Sequence, residues 1–246
     1  MHIILTGATG TVGSAVLRQC LTSPNVTKLS ILSRREFALP TGDNLNTSKA
    51  EIIVHANYTE YPSELLDKLK GGDSCIWAQG ISQSQVSKDE YVQITHDYPL
   101  AAAKAFSSLS NSGKFNFVYV SGEGADPTEK TFMYFGKVKG RAEKALLSLS
   151  TQPDHGALRL FNVRPGYVWP EEYDRARSLP QKFLDRTLAP ILERCAPSQM
   201  SPTRLLASVL VDLATGDGEP LSGDGIEAEG RTLRNVAVRR LAGLND

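Results

Sequence analysis

The chain has little of several things. Its 246 residues include only three cysteines, Cys20, Cys75 and Cys195, far apart and odd in number. That pattern excludes a disulfide framework and a zinc cluster and suits a reducing compartment. Neither charge is in excess, with 27 basic and 27 acidic side chains, so no global field draws nucleic acid or an acidic surface. No uninterrupted apolar run approaches the length of a membrane span. Histidines number four, and none of them suggests a metal site. The first apolar run, HIIL, begins at His2 and leads directly to Gly7, which leaves no room for a signal or transit segment before it. A soluble, cytoplasmic protein with a small-molecule substrate is the expectation, rather than one that binds nucleic acid or a membrane.

What is present is an alternation. Short runs rich in Val, Ile and Leu predict strands near His2–Thr6, Lys28–Ser33, Glu51–His55, Ser74–Ala78, Asn116–Ser121 and Ala157–Arg164. Segments of helical period lie between them, near Thr11–Leu21, Pro62–Lys70, Asp89–Leu109 and Thr131–Leu149. Strand–helix alternation predicts an α/β fold, a doubly wound parallel sheet with helices on both faces. After Arg164 the rhythm changes. Prolines punctuate two helical pieces, Leu179–Arg194 and Pro202–Thr215, and GDGEPLSGDGIEAEG follows as a glycine-rich acidic stretch expected to be a mobile loop. One domain spanning 1–246 is expected, with 166–230 forming a small C-terminal cap. Its apolar residues, among them Trp169, Phe183, Leu188 and Ile191, would cover a substrate pocket.

TGATGTVG runs from Thr6 to Gly13, after the first strand and into the first helix. Gly7 suits the positive φ of a tight strand-to-helix turn, Gly10 lets the backbone approach a pyrophosphate, and Gly13 permits close helix–strand packing. Gly7, Thr9, Gly10, Thr11, Val12 and Gly13 are therefore candidates for holding a dinucleotide. At the end of the second strand, where an NAD site usually places an acid for the ribose 2′-hydroxyl, the chain has Ser33-Arg34-Arg35, with Glu36 displaced beyond. Two guanidinium groups beside a 2′-phosphate give charge-assisted contacts, so Arg34 and Arg35 point to NADP.

Together with WAQG at the fourth strand, YPLAAAKAF in the long helix, VYVSGEGAD at the fifth strand, the later VKG, and RPGYVWP at the sixth, these features resemble an atypical or extended short-chain dehydrogenase/reductase. The similarity is greatest to Tat-interacting-protein-like and NAD(P)-dependent epimerase-like members, and it implies a Rossmann-type fold. It also implies roles. Asn57 and Tyr58 match the pair that holds adenine, and Ala78, Gln79 and Gly80 the small-residue turn beneath the adenine-side ribose and phosphate. Ser121 matches the serine that hydrogen-bonds a substrate carbonyl. Lys139 matches the lysine that grips the nicotinamide ribose, and Pro165, Gly166 and Val168 the turn against the carboxamide.

The family's acid is a tyrosine one helical turn before that lysine. A four-residue step leaves two side chains about 40° apart around a helix, and a five-residue step about 140°. Tyr134 stands five residues before Lys139, and Phe135 stands four before it. Three readings remain. The helix begins irregularly and Tyr134 still reaches the site; or Tyr134 pairs with Lys137, about 60° away; or Phe135 occupies the acid position. The VKG match favours Lys139 and, with it, the last reading. The candidate catalytic set is Ser121, Tyr134 and Lys139. An NADP-dependent oxidoreductase acting on a small organic carbonyl or alcohol is expected, with its tyrosine displaced or lost. An isomerase, epimerase or dehydratase on the same scaffold, or a non-enzymatic NADP-binding regulator, is the alternative. The two long helices offer a face for a homodimer.

Overall fold

The computed structural model describes residues 1–169 and 196–244. The expected cap helix at Leu179–Arg194 falls outside them. Strands β1 (His2–Thr6), β2 (Lys28–Ser33), β3 (Ala50–Val54), β4 (Ser74–Trp77), β5 (Phe115–Val120) and β6 (Leu158–Val163) form a sheet in the order β3-β2-β1-β4-β5-β6. Every pair among them is parallel. The order reverses between β1 and β4, and a doubly wound sheet opens its ligand crevice at that switch point.

Helices α1 (Thr11–Thr22), α2 (Ser63–Leu69), α3 (Lys88–Val92), α4 (Tyr98–Phe106) and α5 (Tyr134–Ser150) connect these strands. Period-two burial divides each strand between two cores. Ile3, Leu5, Ile31, Ile76 and Val118 face α1, while Ile4, Leu32, Trp77, Phe117 and Tyr119 face α2, α4 and α5. Both faces are covered, so the strands read as nearly continuous apolar runs. Each fully buried aliphatic or aromatic side chain contributes about 1.5–3 kcal/mol relative to exposure.

The C-terminal quarter departs from the expectation. The short strands β7 (Tyr167–Trp169) and β8 (Met200–Pro202) pair with each other in parallel. The following helix α6 (Thr203–Thr215) does not sit in a cap. Its Leu206, Val209, Leu210 and Leu213 join the core with α1's Val16, Leu17 and Leu21, so it completes the helical layer on that face. The stretch expected to be a mobile loop is built as turns. Gly218, Gly223, Gly225 and Gly230 all take positive φ, and β9 (Ile226–Glu227) runs antiparallel to β10 (Thr232–Leu233), which extends the sheet beside β6. Helix α7 (Asn235–Leu241) closes the chain over the same core. No helix among the described residues is long and apolar enough to cross a membrane.

Between α3 and α4 the long helix widens into a π-turn, Gln93–Asp97, and Pro99 follows at the start of α4. Proline has no N–H to return to the carbonyl four residues before it, which is that of Thr95. That carbonyl accepts the buried Tyr119 hydroxyl instead, at 2.9 Å. A proline in the sequence thus becomes a tether between α4 and the strand that carries Ser121.

Candidate active site

Two cavities lie end to end along the switch point. The first, about 510 Å³, is lined by Gly7, Thr9, Gly10, Arg34, Arg35 and Tyr58, with Ala78, Gln79 and Gly80 as its floor. The second, about 480 Å³, is lined by Thr11, Val12, Ser121, Lys139, Pro165 and Val168. Gly10 and the Ala78–Gly80 turn belong to both, so the two make one groove.

The glycine loop explains how the groove stays open. Gly7 sits at φ +70°, and a side chain there would run into the Ala78 carbonyl and the Gln79 nitrogen. A Cβ at Gly13 would overlap the Gly7 carbonyl oxygen, so Gly13 packs helix against loop and does not touch the groove. Gly10 meets little, its nearest neighbour being the Gly7 oxygen at 3.3 Å, which leaves its backbone approachable at the N-terminus of α1. Free N–H groups at that end suit an anionic phosphate. At the far rim, Arg34 and Arg35 are exposed, and among the described residues no carboxylate pairs with either guanidinium.

Besides Gly13, two expected cofactor residues are not brought into the groove. Asn57 is exposed and lines neither cavity, and its Oδ1 accepts from the backbone N–H and hydroxyl of Thr59 in a local turn. Gly166 packs against the Gln199 carbonyl and Asn235, and its N–H donates to the Ser201 hydroxyl. Tyr58 is a core residue that shows one edge to the groove. It is 1 % exposed, and its hydroxyl donates to the Leu32 carbonyl.

At the other end, Ser121 follows β5 and is 5 % exposed, and its hydroxyl has no partner among the described residues. A buried hydroxyl without a hydrogen bond carries a desolvation penalty, which a bound carbonyl or hydroxyl would relieve. Lys139 is partly buried, and its ammonium donates to the Ser121 carbonyl at 2.8 Å and lies 5.9 Å from the centre of the Tyr119 ring. Burial pushes its pKa down to about 8, and the Glu143 carboxylate opposes that shift. Open backbone at Gly10, unpaired cations at one end and a cation beside an unpartnered hydroxyl at the other fit a dinucleotide lying along the groove.

Tyr134 does not belong to this set. It is the first residue of α5, which is regular through Lys139, so the five-residue step holds and Tyr134 points elsewhere. Its hydroxyl donates to the Lys88 carbonyl at 3.3 Å, and its ring meets that of Tyr91. Phe135 stands one turn before Lys139, with its ring edge against Gly124. Neither aromatic lines either cavity. The groove also uses residues not foreseen, Gln93, Ile94 and Thr95 of the π-turn. The proline after a long helical run was the available signal for them.

The comparisons with known proteins agree with this fold. The chain is 32 % identical over 97 % of its length to the Leucinostatins biosynthesis cluster protein T of Purpureocillium lilacinum, 94 % of which is covered. It is 25 % identical over 75 % of its length to the protein HTATIP2 of Rattus norvegicus, with 68 % of that protein covered. Residues 3–70 match the family described as polysaccharide biosynthesis protein.

The chain belongs to the atypical short-chain dehydrogenases/reductases.

The fold agrees with that of a dTDP-glucose 4,6-dehydratase from Streptomyces venezuelae, with a TM-score of 0.64 over 99 % of this chain and 79 % of that one at 15 % identity. One expectation for this short-chain dehydrogenase/reductase is overturned, the cytoplasmic location. The relative fmp-52 of Neurospora crassa, 29 % identical over 73 % of this chain and 69 % of its own length, is named mitochondrial. Its counterparts in Coccidioides immitis and Saccharomyces cerevisiae carry the same designation.

Proposed function

We propose that this chain is an NADP-dependent oxidoreductase that acts on a small organic carbonyl or alcohol without a tyrosine acid. The observation that carries the reading is the unpartnered Ser121 hydroxyl beside the Lys139 ammonium in one cavity. In the proposed complex Arg34 and Arg35 hold the 2′-phosphate, Gly10 and the start of α1 the pyrophosphate, and Lys139 the nicotinamide-side ribose. A bound nicotinamide supplies the hydride chemistry. Ser121 donates to the substrate oxygen and fixes its position. Lys139, with its pKa pushed to about 8 by burial, stabilises negative charge on that oxygen and carries a proton to it near neutrality. The name of the Purpureocillium relative favours a biosynthetic intermediate as the substrate class. A homodimer through α4 and α5 accompanies this reading, and light scattering tests it.

Calorimetric titration with NADPH and NADH tests the cofactor, and NADPH consumption across a panel of aldehydes and ketones tests the reaction. NADPH preference, with carbonyl-dependent oxidation lost in Ser121→Ala, supports the reading. Failure to bind either nucleotide removes it. The position of Tyr134 outside the groove favours a second reading, an isomerase or dehydratase that leaves the cofactor unchanged overall. Substrate turnover without net NADPH oxidation would establish that one instead.

A further inference from the structure

The functional reading leaves one buried ion pair unused. Glu143 is 1 % exposed on α5, one helical turn beyond Lys139. Its carboxylate accepts from Arg164 Nε at 2.9 Å and Nη2 at 2.5 Å. Arg164 follows β6, directly before Pro165, which lines the cavity opposite Lys139. Its Nη1 donates to Glu227 at 3.0 Å, and its backbone N–H to the Leu233 carbonyl at 2.8 Å. The pair therefore joins two walls of the cavity from behind.

Stability alone does not account for such a pair. Burying two charges is expensive, and well-packed apolar residues in the same volume are often as stabilising or more so. The surroundings of Lys139 suggest what the pair does. From β5 it meets the Tyr119 ring, whose hydroxyl is committed to Thr95, and the carbonyls of Val120 and Ser121. From its own helix Glu143, one turn on, is the carboxylate whose charge opposes the effect of burial on Lys139. Arg164, behind Glu143, is shared with Glu227.

We infer that Glu143 and Arg164 are positioning residues for the nicotinamide end of the groove: the Glu143 carboxylate keeps Lys139 charged, and its two-pronged hold on Arg164 fixes the Pro165 turn on the facing wall. This rests on the reading of Lys139 as the groove's cation. Without the carboxylate, burial draws the ammonium toward its neutral form at lower pH, and the cavity loses the charge facing the reacting oxygen.

Competitive labelling with trace acetic anhydride across pH 6 to 10, with the Lys139 peptide quantified by mass spectrometry, reads this without any cofactor. In the wild type the midpoint for Lys139 is expected near 8. In Glu143→Gln it falls by about one unit, as removal of a nearby opposite charge requires, while Lys88 and Lys104 are unchanged. Glu143→Asp, which keeps the charge, retains the wild-type midpoint. Should Glu143→Gln unfold with Arg164 left unpaired, the double variant Glu143→Leu/Arg164→Met keeps the interior neutral and should show a smaller fall in the same direction, because the opposing charge of the more distant Arg164 goes with the carboxylate. A second readout is NADPH affinity, expected to weaken several-fold more in Glu143→Gln at pH 8.5 than at pH 6.5. An unmoved Lys139 midpoint in a folded variant overturns the inference. If the wild type fails to bind NADPH, the cofactor reading falls, and the labelling midpoints still decide the role of Glu143.

Discussion

The two halves of the groove are made differently. The half that ends at Arg34 and Arg35 is mostly backbone, with a glycine loop against the Ala78–Gly80 turn and two exposed guanidinium groups at its rim. The half around Ser121 and Lys139 is mostly side chain, and its parts come from far apart in sequence. Ser121 from β5, Lys139 from α5 and Pro165 after β6 meet there, with Glu143 and Arg164 behind them. A backbone site depends on a few residues that allow close approach, so single changes are all-or-none. A side-chain site is adjusted by charge and burial, so single changes are graded and depend on pH.

The contrast is sharpest at Gly13. Gly13→Ala forces a methyl group into the Gly7 carbonyl, and backbone has no rotamer by which to escape. A cost of about 3 kcal/mol or more is expected, with a fall in Tm of the order of 10 °C and no NADPH binding. Calorimetric melting and titration measure both. If Gly13→Ala melts like the wild type, the backbone half is softer than this comparison holds. Next in size is the double variant Arg34→Ala/Arg35→Ala. Losing charge-assisted contacts to a 2′-phosphate should weaken NADPH binding about 10- to 100-fold and leave NADH unaffected. Equal losses for both nucleotides would mean that the guanidinium groups do not read the 2′ position.

Lys139 tests the graded half through pH. Its pKa is depressed from the usual 10.5 to about 8, so between those values the unfolded chain binds more protons than the folded one. Stability therefore rises with pH across that window. Below about 8 the penalty of a charged, partly buried lysine is fully present. Relative to Lys139→Met, which has nothing to titrate, the wild type should gain of the order of 2 kcal/mol between pH 8 and 10.5, read by urea unfolding at several pH values. A constant difference would place Lys139 in water. The smallest effect is expected from Tyr134→Phe, which removes one long hydrogen bond to the Lys88 carbonyl. Stability should change by less than about 0.5 kcal/mol, and turnover should be retained. A loss of about 100-fold or more, the size expected of a general acid, would return Tyr134 to the reaction.

The same contrast decides what could be read in advance. β1 and β2 fall at their expected limits, and the other expected strands lie within a residue of theirs, because covered strands write their apolar character locally. That Arg34, Arg35 and the glycine loop would line the groove was legible because each stands directly after a strand. The π-turn, β9, β10 and α7 were not. Two-residue strands have no period to detect, and an acidic glycine-rich stretch looks solvated until its Glu227 is seen on Arg164. Helix α6 was placed in a cap because the prolines before it suggest a boundary, whereas its apolar face packs on α1. The Glu143–Arg164 pair spans 21 residues and two elements, and no spacing rule announces it. Asn57 departs for the opposite reason: the match is local, and its Oδ1 turns to the neighbouring Thr59 outside both cavities.

The π-turn at Gln93–Asp97 also makes chain length a functional quantity. A five-residue turn holds one residue more than the α-helix would use, so deleting any single residue there lets the helix close into regular α geometry. Everything before the deletion then keeps nearly its present face relative to α4, because the wide turn and the regular one that replaces it cover about the same rotation. What changes is the turn itself: the widened backbone that presents Gln93 and Ile94 to the groove is drawn in, and the Thr95 carbonyl that accepts from Tyr119 is drawn in with it. Substitutions in this segment alter one contact each, whereas a one-residue deletion undoes several together, so the count of residues here matters more than their identity.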